Sequence, residues 1–187
     1  MHKDLFKKDT LAIAQSLLGM YLIHESPQGK TMGKIVETEA YFFNDPAAHS
    51  YRGKTQRNAP MFGKAGTAYV YFTYGMHYCF NVVTAEEGVG EAVLIRALEP
   101  REGIELMKQR RKQEDILQLC NGPAKLVQAM GISKGYNTHF LEDKPLYLEE
   151  TEGEKIYIVK RPRIGISLAK SKLFRFYIKA NPFVSKK

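Results

Sequence analysis

Glu37, Glu39 and Tyr41 stand at every second position of one β-forming segment, TMGKIVETEAYF. Strand alternation puts the three on one face, with the two acids about 6.5–7 Å apart. Such a row is odd for a solvent face and costly for a core. One carboxylate held in a partly apolar site could serve as a general base. The plainer alternative is that the pair meets Lys34 or another cation across the sheet. Arg96 and Asn81 interrupt apolar segments, VLIRAL and YCFNVV. Polar groups so placed need partners, structural or substrate; for Arg96 these could be Glu37, Glu99 or a phosphate.

Four of the eleven tyrosines, Tyr69, Tyr71, Tyr74 and Tyr78, fall within ten residues. Tyr69 and Tyr71 share a strand face. Tyr74 adjoins Gly75, where a turn can push a side chain out of the sheet. An exposed aromatic at such a tip can stack on bases or wedge between them; a tyrosine-rich core strand is the competing reading. His49, in DPAAHS, has no Cys/His ligand set around it and is ordinarily an exposed loop residue. Cys79 and Cys120 have no metal-type spacing and cannot build a disulfide framework.

The elements that must position these residues can be outlined. Asp9 or Thr10 caps a helix over LAIAQSLL, closed by Gly19. MYLIHES and TMGKIVETEAYF read as strands around a turn at SPQGK. Residues 43–67 read as a long loop, a length that is usually functional. AYVYFT, MHYCFNVVT and AVLIRAL read as further strands. Pro100 suits the first turn of a helix over REGIELMKQRRK, and NGP opens a helix, AKLVQAM, ended by Gly131. LYLEE, KIYIVK, RIGIS and FRFYIK read as short strands. The close-spaced strands predict a mixed α/β (α+β) fold: a single domain over 1–187, with a curved, mainly antiparallel sheet surrounded by helices.

The chain has 187 residues and a formal charge of +8. Its length is ample for a core, and 44% hydrophobic residues argue against disorder. No apolar run is long enough for a membrane span, and the first residues lack a signal-peptide core, so a reducing cytoplasm is the default expectation. The charge is uneven. Residues 155–187 hold ten basic residues and no acidic one, which leaves the first 154 with 18 basic and 20 acidic. A second acid-free window, Pro46 to Ala85, carries Arg52, Lys54, Arg57 and Lys64. Two basic zones could flank one phosphate track, or form a solvated face with a ragged basic end.

VETEAY, AAHS, QRN-x-x-MF-x-K-x-GTAYVYFTYGMHYCFN, LIRALEP, NGPAKL and LFRFYIKANPFVS, in that order, closely resemble the alkyladenine (3-methyladenine) DNA glycosylase family over most of the chain. The resemblance implies an enzyme that flips alkylated or deaminated purines out of double-stranded DNA and hydrolyses the N-glycosidic bond. It implies Glu39 as the water-activating base, with Arg96 as a second partner of the water or the adjacent phosphate. Tyr41, His49 and Tyr71 would sandwich and hydrogen-bond the flipped base. Asn81 would obstruct a guanine 2-amino group, and Tyr74 would fill the gap in the duplex. Glu37 belongs to the same motif but is not the nominated base. The expectation is a monomeric, monofunctional hydrolase without a lyase step, needing no metal or redox cofactor and no membrane. A non-catalytic binder of damaged or single-stranded nucleic acid, and a relative that has lost activity, are the competing functions.

Overall fold

The computed structural model describes residues 4–73, 77–151 and 155–186. Tyr74 lies outside the described residues. Helix α1 (Thr10–Ser16) is capped by Asp9, whose carboxylate accepts from the Ala12 N–H at 2.8 Å. Strands β1 (Tyr21–Ser26) and β2 (Gly29–Tyr41) form the first hairpin, and a long loop leads to β3 (Ala68–Thr73), β4 (His77–Val83) and β5 (Ala92–Glu102). Helices α2 (Ile104–Arg111), α3 (Ile116–Leu119) and α4 (Pro123–Met130) follow, then β6 (Leu146–Glu149), β7 (Ile158–Arg161) and β8 (Arg175–Ile178).

One eight-stranded sheet runs in the order β3-β4-β5-β2-β1-β6, with β8 added to β2 and β7 to β8. Every pairing is antiparallel. The fold is the expected α+β type. β2 is its spine: its first half pairs with β1, its second half pairs with β8, and β5 runs along the other edge. Ile35 to Ala40 are consequently all buried. The main core joins Leu22, Ile35, Phe80, Ile95, Leu98 and Phe176 of the sheet to Ile13 and Leu17 of α1 and Leu126 and Met130 of α4. α4 opens with Pro123 and closes at Gly131, in the left-handed conformation that favours glycine. Among the described residues no helix is long and apolar enough to cross a membrane.

Two sequence expectations fail locally. Pro100 does not start a helix. It lies inside β5 opposite Gly33, where the register slips by one residue and Arg101 is left over. A proline is tolerated there because a bulge already breaks the hydrogen-bond ladder. The helix begins instead after Gly103, whose φ is +72° and where a Cβ would collide with the Lys30 carbonyl oxygen. RIGIS is no strand either. Residues 162–174 form a loop between β7 and β8, and this loop lines a cavity.

Candidate active site

Strand alternation delivers Glu37, Glu39 and Tyr41 to one face of β2, as the spacing predicts. The register then adds Arg96. Ile35 pairs with Leu98 and Glu37 with Ala97, but Thr38 pairs with Ile95. Val36 is therefore extra on β2, and Arg96 is extra on β5. A bulge of this kind re-aims a side chain. Arg96 arrives between the two acids, its Nε donating to Glu37 Oε1 and its Nη1 to Glu39 Oε2, both at 3.3 Å.

Glu39 has no exposed surface. Oε2 also accepts from the Tyr41 hydroxyl at 2.9 Å, and Oε1 from the Ile164 N–H at 2.7 Å. A carboxylate offers about four lone-pair sites, so among the described residues one remains for a further donor. Burial raises the Glu39 pKa above its ordinary value; Arg96, the Ile164 N–H and the Tyr41 hydroxyl pull the other way. Tyr41 is itself pushed far up, first by burial and then by Glu39, so its phenol stays a donor.

In front of this carboxylate lies a cavity of about 440 Å³. Its walls include Tyr41, His49, Tyr71, Asn81 and Arg96, the sequence-predicted set apart from Glu39 and Tyr74. Glu39 sits one hydrogen bond behind the lining, through Tyr41 and Arg96. The His49 and Tyr71 rings meet edge-on with centroids 4.5 Å apart. His49 Nδ1 lies 3.0 Å from the Tyr69 hydroxyl. Although His49 reaches the surface, the protein packed around its ring, and then Arg57, lower its pKa. The ring is therefore neutral at pH 7. Burial raises the Tyr71 pKa well out of the physiological range. Asn81 donates from Nδ2 to the Tyr69 carbonyl at 3.0 Å, which leaves its Oδ1 free of that bond. Tyr69 is core, as the plainer reading of the tyrosine strand allowed: it is buried with Met61, Val83 and Ala92, and it and Met61 also form part of the cavity wall.

A family profile described as Methylpurine-DNA glycosylase matches residues 4–182. The chain belongs to the methylpurine-DNA glycosylase family. Relatives carrying the name "Putative 3-methyladenine DNA glycosylase" agree with it nearly end to end. One from Francisella tularensis is 54% identical over 182 residues, covering 95% of this chain and 94% of its own. One from Carboxydothermus hydrogenoformans is 52% identical over 189 residues, covering 99% and 98%. One from Methanoculleus marisnigri is 49% identical over 186 residues, covering 97% and 96%.

Several residues of this glycosylase's site were not singled out from sequence. Ile164 to Ser167 line the cavity from the 162–174 loop, and Cys79 lines it from β4, cross-strand from Tyr71. Burial raises the Cys79 thiol pKa, so it presents an uncharged wall. Arg163 and Asp45, both buried, form an ion pair that joins the 162–174 loop to the loop carrying His49. The Arg163 guanidinium also lies 4.5 Å from the Tyr41 ring centroid and donates to the Ala40 carbonyl at 3.0 Å. The basic zone 155–187 is correspondingly smaller as a surface: Arg163 and Arg175 are turned inward to Asp45 and Glu37. Lys155, Lys160, Arg161, Lys170, Lys172, Lys179 and Lys186 remain exposed among the described residues.

Proposed function

We propose that residues 1–187 act as one monomeric glycosylase domain. It captures a damaged purine flipped out of duplex DNA in the cavity and hydrolyses its N-glycosidic bond with water activated by Glu39. The observation that carries this reading is a buried carboxylate, with one acceptor site unused among the described residues, directly behind an aromatic cavity in a DNA glycosylase family member. The cavity volume of about 440 Å³ falls in the range of roughly 300–1,000 Å³ usual for small-molecule sites. That suits one extruded base and excludes a duplex.

The walls explain a preference for alkylated purines. A purine methylated on a ring nitrogen is cationic, and its glycosidic bond is already weakened. The faces of Tyr41, Tyr71 and His49 attract a cation by about 0.5–2 kcal/mol each when desolvated. The phenols stay protonated and the imidazole neutral, so neither sets a competing charge against the base. Asn81 would meet a guanine 2-amino group and disfavour undamaged guanine. Flipping costs a few kcal/mol and is easiest at a damaged pair; Tyr74, occupying the vacated space, would offset part of that cost.

Cleavage runs through an oxocarbenium-like sugar. Glu39 takes a proton from water and its negative charge stabilises the developing cation. Its raised pKa moves it toward the working pH, where a general base is most effective. Arg96 keeps the carboxylate ionised and oriented. A cationic base departs without a second acid. Among the described residues no lysine lines the cavity, in keeping with direct hydrolysis rather than a Schiff-base lyase step. Incubation with a duplex carrying a single N-alkylated purine should yield an abasic site, scored as a strand break that appears only after alkali. No base release from any alkylated purine refutes the enzyme; breaks without alkali refute the monofunctional mechanism.

A further inference from the structure

Glu37 stands two residues from the proposed base and has no part in the chemistry above, yet it is among the most completely held side chains of the protein. It has no exposed surface. Its Oε1 accepts from Arg175 Nη1 at 2.8 Å, Ser185 Oγ at 2.9 Å and Arg96 Nε at 3.3 Å. Its Oε2 accepts from the Ser185 N–H at 2.7 Å. Arg175 Nη1 donates in addition to the Lys186 carbonyl at 2.7 Å, and Nε to the Pro162 carbonyl at 3.1 Å. Neither Glu37, Arg175 nor Ser185 lines the cavity.

Arg96 therefore stands between two buried carboxylates, and the distances say how it is divided. Charge-assisted N–H···O bonds settle at about 2.7–2.9 Å. Glu37 reaches that range with Arg175 and Ser185 but not with Arg96, which sits at 3.3 Å from each acid. We propose that Arg175 and Ser185, acting through Glu37, are positioning residues that keep Arg96 shared between Glu37 and Glu39. Two arginines balance two carboxylates. Because Arg175 and the 185 backbone and hydroxyl satisfy Glu37, the Arg96 Nη1 stays on Glu39.

The arrangement makes opposite demands on opposite substitutions. The groups facing Glu39 are Arg96 from β5, Glu37 and Tyr41 from β2, Cys79 from β4, Arg175 opposite it on β8, and the Ile164 N–H, with Arg163 stacked behind Tyr41. Glu37→Gln removes a like charge and releases Arg96 wholly to Glu39, so Glu39 ionises more easily. Arg175→Met leaves Glu37 short of a cation and draws Arg96 toward it, so Glu39 ionises less easily. A merely structural role would lower the rate in both variants without moving their pH dependence in opposite directions.

The inference rests on Glu39 as the base, so Glu39→Gln belongs in the same series. The test is single-turnover base release from an alkylated-purine duplex by the full chain, across the acidic limb of its pH profile. Glu37→Gln should move that limb to lower pH and Arg175→Met to higher pH, each by on the order of one unit, as a neighbouring buried charge does. Ser185→Ala keeps the packing and one of its two hydrogen bonds, and should give a smaller shift in the Arg175→Met direction. Arg175→Lys should restore most of the wild-type profile. Profiles that superimpose on the wild type, or that move the same way in Glu37→Gln and Arg175→Met, overturn the proposal. If Arg175→Met does not fold, Ser185→Ala and Glu37→Gln decide it by the same criterion. Turnover that survives Glu39→Gln overturns the underlying reading of the base. A dead Glu39→Gln beside unmoved Glu37 and Ser185 variants overturns this inference alone.

Discussion

Replacing Arg163 by methionine should cost about 5 kcal/mol of stability. Neither side chain of the Arg163–Asp45 ion pair has exposed surface. Removing one partner of such a pair leaves a buried charge uncompensated, about 3–5 kcal/mol. Methionine fills most of the arginine stem's volume, so little cavity term adds. The Ala40 carbonyl loses its Arg163 donor, about 1 kcal/mol. Against a total of roughly 5–15 kcal/mol, this should appear as a large fall in the urea midpoint with an unchanged m value. Combining Arg163→Met with Asp45→Asn should recover most of the loss, because an absent pair is far less harmful than half of one. The pH dependence follows from Asp45. Burial alone would raise its pKa, but Arg163 and the Ala47 N–H outweigh burial and hold it below the usual value. A depressed carboxyl pKa stabilises the fold fully above the unfolded value of about 3.9, and that contribution is lost as pH falls through the folded value. Without Arg163 the buried Asp45 carboxyl is raised instead, so the gap between wild type and Arg163→Met should be widest where Asp45 is ionised in both and should narrow as pH falls through the variant's raised value. A single-variant loss under about 1 kcal/mol, or a double variant no better than the single, refutes the reasoning.

With Glu39 as the proposed base, base release requires it ionised, and its pKa is raised from 4.5. The acidic limb of the kcat/KM profile should accordingly lie above that value; a midpoint at or below it contradicts the buried-base geometry. Lys170 and Lys172 are exposed on the loop whose residues 164–167 line the cavity. Their joint change to alanine should flatten the salt dependence of duplex binding by about one unit for each phosphate no longer neutralised, and an unchanged slope removes them from the DNA surface. Tyr74→Ser should weaken binding to a lesion duplex more than to an undamaged one; equal affinities for wild type and variant refute the wedge.

The strand pattern made much of this molecule legible. The period of two in ETEAY put Glu37, Glu39 and Tyr41 on one face, and the close-spaced hairpins foretold an antiparallel sheet. Asp9 and Gly131 signalled helix ends that the structure keeps. What stayed hidden depends on register and on distance along the chain. Arg96 meets Glu37, one of the partners its place in an apolar strand suggested, but its second contact, to Glu39, and the local irregularity of the β2–β5 pairing at Val36 and Arg96 are announced by no local pattern. Arg163 finds Asp45, and Arg175 and Ser185 find Glu37, only after the sheet brings β8 to β2. The same topology turned two residues of an apparent basic surface into internal counter-ions. RIGIS alternates like a strand, but its left-handed Gly165 and its place in the cavity wall make it a loop.

The most direct test of Glu39 as the base is the single-turnover rate of Glu39→Gln on a duplex with one alkylated purine, measured beside its affinity for the same duplex. Glutamine keeps the shape and can still accept from Tyr41 and Arg96, but it cannot take a proton from water. The account predicts a rate at least about 10²-fold below wild type, the low end for a general base, with lesion binding retained. Turnover close to wild type would contradict it.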